Sequence, residues 1–119
     1  MDTKSLIQHI ETRFPGAVLQ VQPMGRRHQG IVWLSVKGLQ ETLRFLKEAP
    51  ETRLDWLENL SCFELDQDRV LTAFLRSTVH EQELVCRVAA AQCPPFSAIW
   101  DEAAEFEKEI AQRHGVVWN

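Results

Sequence analysis

The sequence has no apolar run approaching the roughly 20 residues that a membrane-crossing helix needs. It has no C-x-x-C pair, the spacing that zinc and iron–sulfur sites most often use. Its three cysteines, Cys62, Cys86 and Cys93, form an odd set with no close pair, which is not a disulfide framework. Neither G-x-x-x-x-G-K-[ST] nor G-x-G-x-x-G occurs, so a glycine-built phosphate cradle has no support. Basic charge is also scarce. Lys and Arg number 13 against 17 Asp and Glu, a net charge of −4. Nucleic-acid domains need a basic face for phosphate contacts, so that class is disfavoured. The one basic cluster, Arg26-Arg27-His28, lies between Gly25 and Gly30 and reads as a solvated hairpin tip. Met1-Asp2-Thr3-Lys4 lacks the charged-then-apolar layout of a signal peptide. A cytoplasmic location is expected.

What is present is an ordinary globular composition. The chain has 119 residues, 45% hydrophobic and 25% charged, the size and make-up of one domain with a modest core. Leu6, Ile7, Ile10 and Phe14 recur at helical spacing, and Asp2 or Thr3 can cap a helix over about 3–14 that Pro15-Gly16 ends. Ala17 to Gln22 alternates as a strand, and Ile31 to Val36 is a second, nearly all apolar, making a hairpin with a wide loop. Gly38 to Ala49 reads as a helix with Leu39, Leu43 and Leu46 inward and Pro50 as its stop. The stretch from Leu54 fits an irregular or helical start followed by a strand from about Leu60 to Leu65. Strands over Val70–Ser77 and Leu84–Ala90 follow across short polar turns. The last of these places Leu84, Cys86 and Val88 on one face, and Val85 and Arg87 on the other. A final helix is expected from about Ser97 to Arg113, with Ser97 as cap, Ile99, Ala103, Phe106 and Ile110 as its apolar stripe, and Gly115 closing it left-handed. The fold class is therefore α+β in two layers: helix, two strands, helix, three strands, helix, a mixed sheet covered by helices.

Chemistry-bearing residues do not converge along the sequence. His9, His28, His80 and His114 stand apart from one another and from the cysteines. Cys62 and Cys86 fall in apolar strand patterns as small buried hydrophobes. Cys93 precedes Pro94-Pro95 in a loop, with no adjoining charge to lower its pKa. Glu102, Glu105, Glu107 and Glu109 crowd the last helix around Lys108, and such a run reads as a solvated face. Of the four tryptophans, Trp33 sits within a strand and is expected in the core. Trp56, Trp100 and Trp118 lie near element ends, where tryptophan serves either packing or binding. Trp118 either folds back on the domain or inserts into a partner.

Three segments carry a family likeness. Trp100-Asp101-Glu102-Ala103, Glu107-Lys108-Glu109 and Gly115-Val116 resemble a signature of the C subunit of respiratory NADH:quinone oxidoreductase (complex I). The related domain of energy-converting nickel–iron hydrogenases shares that signature. Leu54-Asp55-Trp56-Leu57-Glu58-Asn59-Leu60-Ser61 and Leu75-Arg76-Ser77 look like two further segments of the same family. Asp101 stands where the family has proline, Glu105 where it has a second tryptophan, Gln112 where it has aspartate and His114 where it has an aromatic residue.

The resemblance implies a non-catalytic structural or assembly component of an oxidoreductase complex. Such a subunit holds no flavin, cluster or metal of its own. It packs against the large subunit that carries the quinone or nickel–iron site, and against iron–sulfur subunits. It sits at the cytoplasmic side, peripheral to the inner membrane through the complex, with no membrane span or nucleic-acid partner. Trp100, Glu107, Lys108, Glu109, Gly115 and Trp118 are the candidate partner-interface residues. The competing expectation is a free-standing small-ligand-binding or adaptor domain, which requires a concave apolar pocket with a few inward polar groups.

Overall fold

In this computed structural model, residues 2–24 and 29–118 are described, and the Arg26-Arg27-His28 cluster lies outside them. Helix α1 spans Thr3–Arg13. Asp2 caps it, with Oδ1 accepting the Ser5 N–H at 2.7 Å, one of the donors a helix start leaves free. The hairpin strands are β1, Val18–Met24, and β2, Gln29–Leu34. A bulge between Val18 and Gln20 shifts the register and leaves Leu19 65% exposed. Helix α2, Leu39–Glu48, follows Gly38, whose φ of 72° only glycine adopts freely. Strands β3, Trp56–Leu65, β4, Asp68–Arg76, and β5, Glu83–Ala89, form the meander. Helix α3 spans Ala103–His114.

The strand order is β1-β2-β5-β4-β3. All neighbours are antiparallel except β2 and β5, which run parallel and make the sheet mixed. The α2 segment lies between the two halves of the sheet in sequence, and β5 returns to join them. The result is the expected two-layer α+β architecture.

The helices' buried residues, including Leu6, Ile10, Leu43, Leu46 and Ile110, share one core with Val32, Leu34, Leu60, Leu71, Leu75, Cys86 and Val88. Those strand residues alternate with a second set that faces away from the helices. Register rows place Trp33, Arg87 and Thr72 side by side on that second face, next to Ile31, Val85 and Phe74. Ile31, Val70 and Val85 are buried there, yet lie outside the main core. Trp33 belongs to this face as well, half-buried, and not to the core expected for it. A strand that is apolar on both sides does not reveal which side the helices cover.

Two boundaries differ from the sequence expectation. The stretch from Leu54 takes the irregular and not the helical start, and the strand begins earlier than Leu60. Trp56 already begins β3, and Trp100 Nε1 donates to the Leu54 carbonyl at 3.0 Å, fixing the entry backbone. The last helix begins at Ala103 and not at Ser97. Phe96–Ala98 forms a separate 3-10 turn, so Ser97 caps no α-helix. Phe96, Ile99 and Trp100 are all buried, and they mimic a helical stripe in sequence. Among the described residues no helix is long and apolar enough to cross a membrane.

Candidate functional site

The six candidate interface residues fall on α3 and the chain on either side of it, but they occupy different depths. Trp100 is 0% exposed. Besides its bond to Leu54, its ring stacks on Phe96 with centroids 6.3 Å apart. It fastens the segment before α3 to the segment before β3, joining the first residues of two of the family-like stretches.

Glu107 is the residue that the charged pattern misplaced. It is 5% exposed, on the inner side of α3 with Ala103 and Ile110. Its Oε2 accepts the Phe96 N–H at 2.5 Å and its Oε1 accepts the Ser97 N–H at 3.3 Å. The start of a 3-10 turn leaves backbone donors without partners, as an α-helix start does, and a buried donor without a partner is costly. The Glu107 carboxylate supplies those acceptors, which is why a charge is tolerated inside. It is not part of a solvated face. Only its distant backbone partners distinguish it from its neighbours in sequence.

Glu102 makes a similar tie that sequence pattern did not single out. Its Oε2 accepts the Leu57 N–H at 3.0 Å, joining the start of α3 to β3. Leu57 lies beside a register shift between Leu57 and Asn59, where the ladder is interrupted.

Lys108 and Glu109 are exposed on the outer side of α3. Glu109 pairs with Arg113 at 3.1 Å across one helical turn, a surface contact of small energetic weight. Gly115 has φ of 67° and donates its N–H to the Ala111 carbonyl at 3.0 Å, closing the helix left-handed as expected. Beyond it, Val116 is buried, Val117 is 79% exposed and Trp118 is half-buried against the core. Trp118 thus folds back on the domain. Its indole N–H is buried and finds no hydrogen-bond partner.

Nucleophile chemistry is poorly served here. Cys93 is buried and directs Sγ to the Pro94 carbonyl at 3.3 Å. Burial pushes its thiol up to about 12, and the Glu107 carboxylate pushes the same way. Burial likewise holds Cys86 at about 12. Both are thiols at neutral pH, the unreactive form. Cys62, half-buried, is also raised by burial. Among the described residues no three His, Cys, Asp or Glu side chains gather to hold a metal ion. His9 and His80 both serve the connection after α2. His9 Nε2 meets Glu51 Oε1 at 2.9 Å, and His80 Nε2 meets the Pro50 carbonyl at 2.8 Å.

Asp55, inside the second family-like segment, has a defined task. Its Oδ1 accepts the Thr78 N–H at 2.9 Å and its Oδ2 accepts the Thr78 hydroxyl at 2.6 Å. Burial works to raise its pKa, but the Thr78 side-chain and backbone bonds outweigh that and hold it below the usual carboxylate value.

No protein-family model matches the chain, and no curated protein is similar to it in sequence. Among solved structures, it is similar to a chain of the membrane-bound sulfane sulfur reductase, an archaeal respiratory membrane complex. The TM-score is 0.74 and the identity 14%, over 98% of this chain and 69% of that one. The likeness is one of fold. It extends over nearly the whole chain.

Proposed function

We propose that this chain is a non-catalytic assembly subunit or domain of a membrane-associated oxidoreductase of the complex-I or hydrogenase type. Residues 1–119 act as one domain related to the complex I C subunit. It packs against the large subunit, which carries the quinone or nickel–iron site, and against iron–sulfur subunits. It works at the cytoplasmic side and reaches the membrane only through those partners. It contributes no cofactor site.

The observation that carries this reading is the shared fold with a chain of a respiratory membrane complex across 98% of this sequence. The family-like segments support it further, because Trp100 and Leu54 join two of them in space. The partner surface is the outer side of α3, with Lys108 and Glu109, continued by Gly115 to Trp118. Trp100 and Glu107 act beneath it by fixing the backbone that presents it. Exposed charges that set register without large apolar burial suit such a contact.

Deletion of the chain in its native cells tests the role. Native electrophoresis followed by mass spectrometry of the complex is expected to show loss of the assembled oxidoreductase, restored by the wild-type chain. A Lys108→Glu, Glu109→Lys double variant is expected to restore assembly poorly while folding normally. An oxidoreductase of unchanged size and amount in the deletion strain would refute the role.

A further inference from the structure

The helix-free face of the sheet carries an unusual centre. Arg87, on the central strand β5, lies half-buried between two aromatic rings. Its guanidinium carbon is 4.8 Å from the Phe63 ring centroid and 5.7 Å from that of Trp33. Its Nε donates to Thr72 Oγ1 at 3.3 Å and its Nη1 to Gln22 Oε1 at 3.2 Å. The same Gln22 oxygen accepts the Trp33 indole N–H at 2.6 Å, so one amide orients both the cation and its ring. Around this group Val70 and Val85 are buried and Phe74 is half-buried, with no helix of the described residues over them.

Arg87's partners are all neutral. The ion pairs among the described residues engage His9, Arg44, Arg76 and Arg113, not Arg87. A guanidinium carries five N–H donors in a planar fork, matched to a carboxylate, and here it is held in place in advance. A cation half-removed from water with only neutral acceptors gains from an anion that approaches it.

The geometry points to this face as a docking surface for a segment of another protein subunit, one that brings an aspartate or glutamate carboxylate onto Arg87 within an apolar surround. The inference rests on the assembly reading above and adds a second contact, on the opposite side of the sheet from α3. The occupant's chemistry follows from the face itself. Its apolar and aromatic residues fit a protein segment, and its centre demands one negative charge. A phosphate would call for several cations or converging backbone N–H groups, and among the described residues Arg76, at the rim of this face, is turned to Glu58 at 3.8 Å. A second copy of the chain, packed face to face about a two-fold axis, would oppose Arg87 to Arg87.

The test is a photo-cross-linking residue in place of Phe74 in the tagged full chain, expressed in native cells and irradiated before purification. Arg87 stays intact in this variant. Mass spectrometry is expected to find a cross-link to a peptide of another subunit that contains Asp or Glu. In a parallel purification, Arg87→Gln is expected to lower recovery of that subunit about tenfold. Arg87→Lys recovers part of it, with recovery compared at equal amounts of folded chain. Cross-links to a second copy of this chain would overturn the inference. So would the absence of cross-links from a preparation that still recovers oxidoreductase subunits, which would leave the assembly reading standing. Recovery of no such subunit by the wild-type chain would overturn both.

Discussion

Glu107 illustrates how a charge comes to lie in an interior. Two backbone N–H groups, at Phe96 and Ser97, have that carboxylate as their acceptor. Glu107→Ala strands them and is expected to cost about 2 kcal/mol, the scale of hydrogen bonds to a charged group in a buried setting. Glu107→Gln keeps one acceptor oxygen and recovers part of the loss. Urea denaturation of the three proteins measures this, and an unchanged midpoint for the alanine variant would show that the clamp carries no stability. Asp55 gives a pH signature. Its folded pKa lies below its unfolded value, so its stabilising effect is fully present above the ordinary carboxylate pKa of roughly 3.9 and fades as pH falls through the folded value. The stability gap between wild type and Asp55→Asn is expected to be constant near neutrality and to close in acid. A gap that widened in acid would reverse the sign of the effect. The cysteines give a third readout. Cys93 and Cys86, held as thiols near 12, are expected to resist a thiol reagent at neutral pH until the chain unfolds.

At the level of elements, two turns test backbone geometry separately from packing. The β3–β4 hairpin turns through Asp66 and Gln67, with φ of 51° and 72°. This is the left-handed pair that a tight hairpin of right-twisted strands needs. Aspartate tolerates it and glutamine does not favour it. Gln67→Gly is expected to stabilise the chain by about 0.5 kcal/mol, after the greater freedom of glycine in the unfolded state is set against the relieved strain. Gly115→Ala is expected to do the opposite, losing about 1 kcal/mol at the α3 terminus. A Cβ there would meet nothing closer than Arg69 Nη2 at 3.9 Å, so the loss is one of backbone conformation and not of space. Thermal unfolding of both variants measures the pair. The elements themselves were legible where one physical signal dominated. The alternation of β5 put Val85 and Arg87 opposite Leu84, Cys86 and Val88, as observed. The start of α3 was not legible, because Phe96, Ile99 and Trp100 are buried from a 3-10 turn and a loop yet imitate helical spacing.

For the whole molecule, the order of elements and the two-layer class followed from pattern, while the pairing that makes the sheet one surface did not. The parallel contact of β2 with β5 joins residues such as Val32 and Cys86 far apart in sequence. Without it the helix-free face and its centre at Arg87 have no address in the sequence. The candidate site divided in the same way. Gly115 was readable because a left-handed cap is local. The roles of Glu107, Glu102 and Trp100 depend on partners at Phe96, Leu57 and Leu54, which spacing along one helix does not reveal. The proposed assembly role belongs to this scale too, since it would be exercised only through partner subunits. Purification of the tagged chain from its native cells, with its partners identified by mass spectrometry, addresses it most directly. Recovery of a quinone-reductase- or hydrogenase-type large subunit together with iron–sulfur subunits is the expected result. Recovery of the chain alone, from cells shown to contain such a complex, would contradict it.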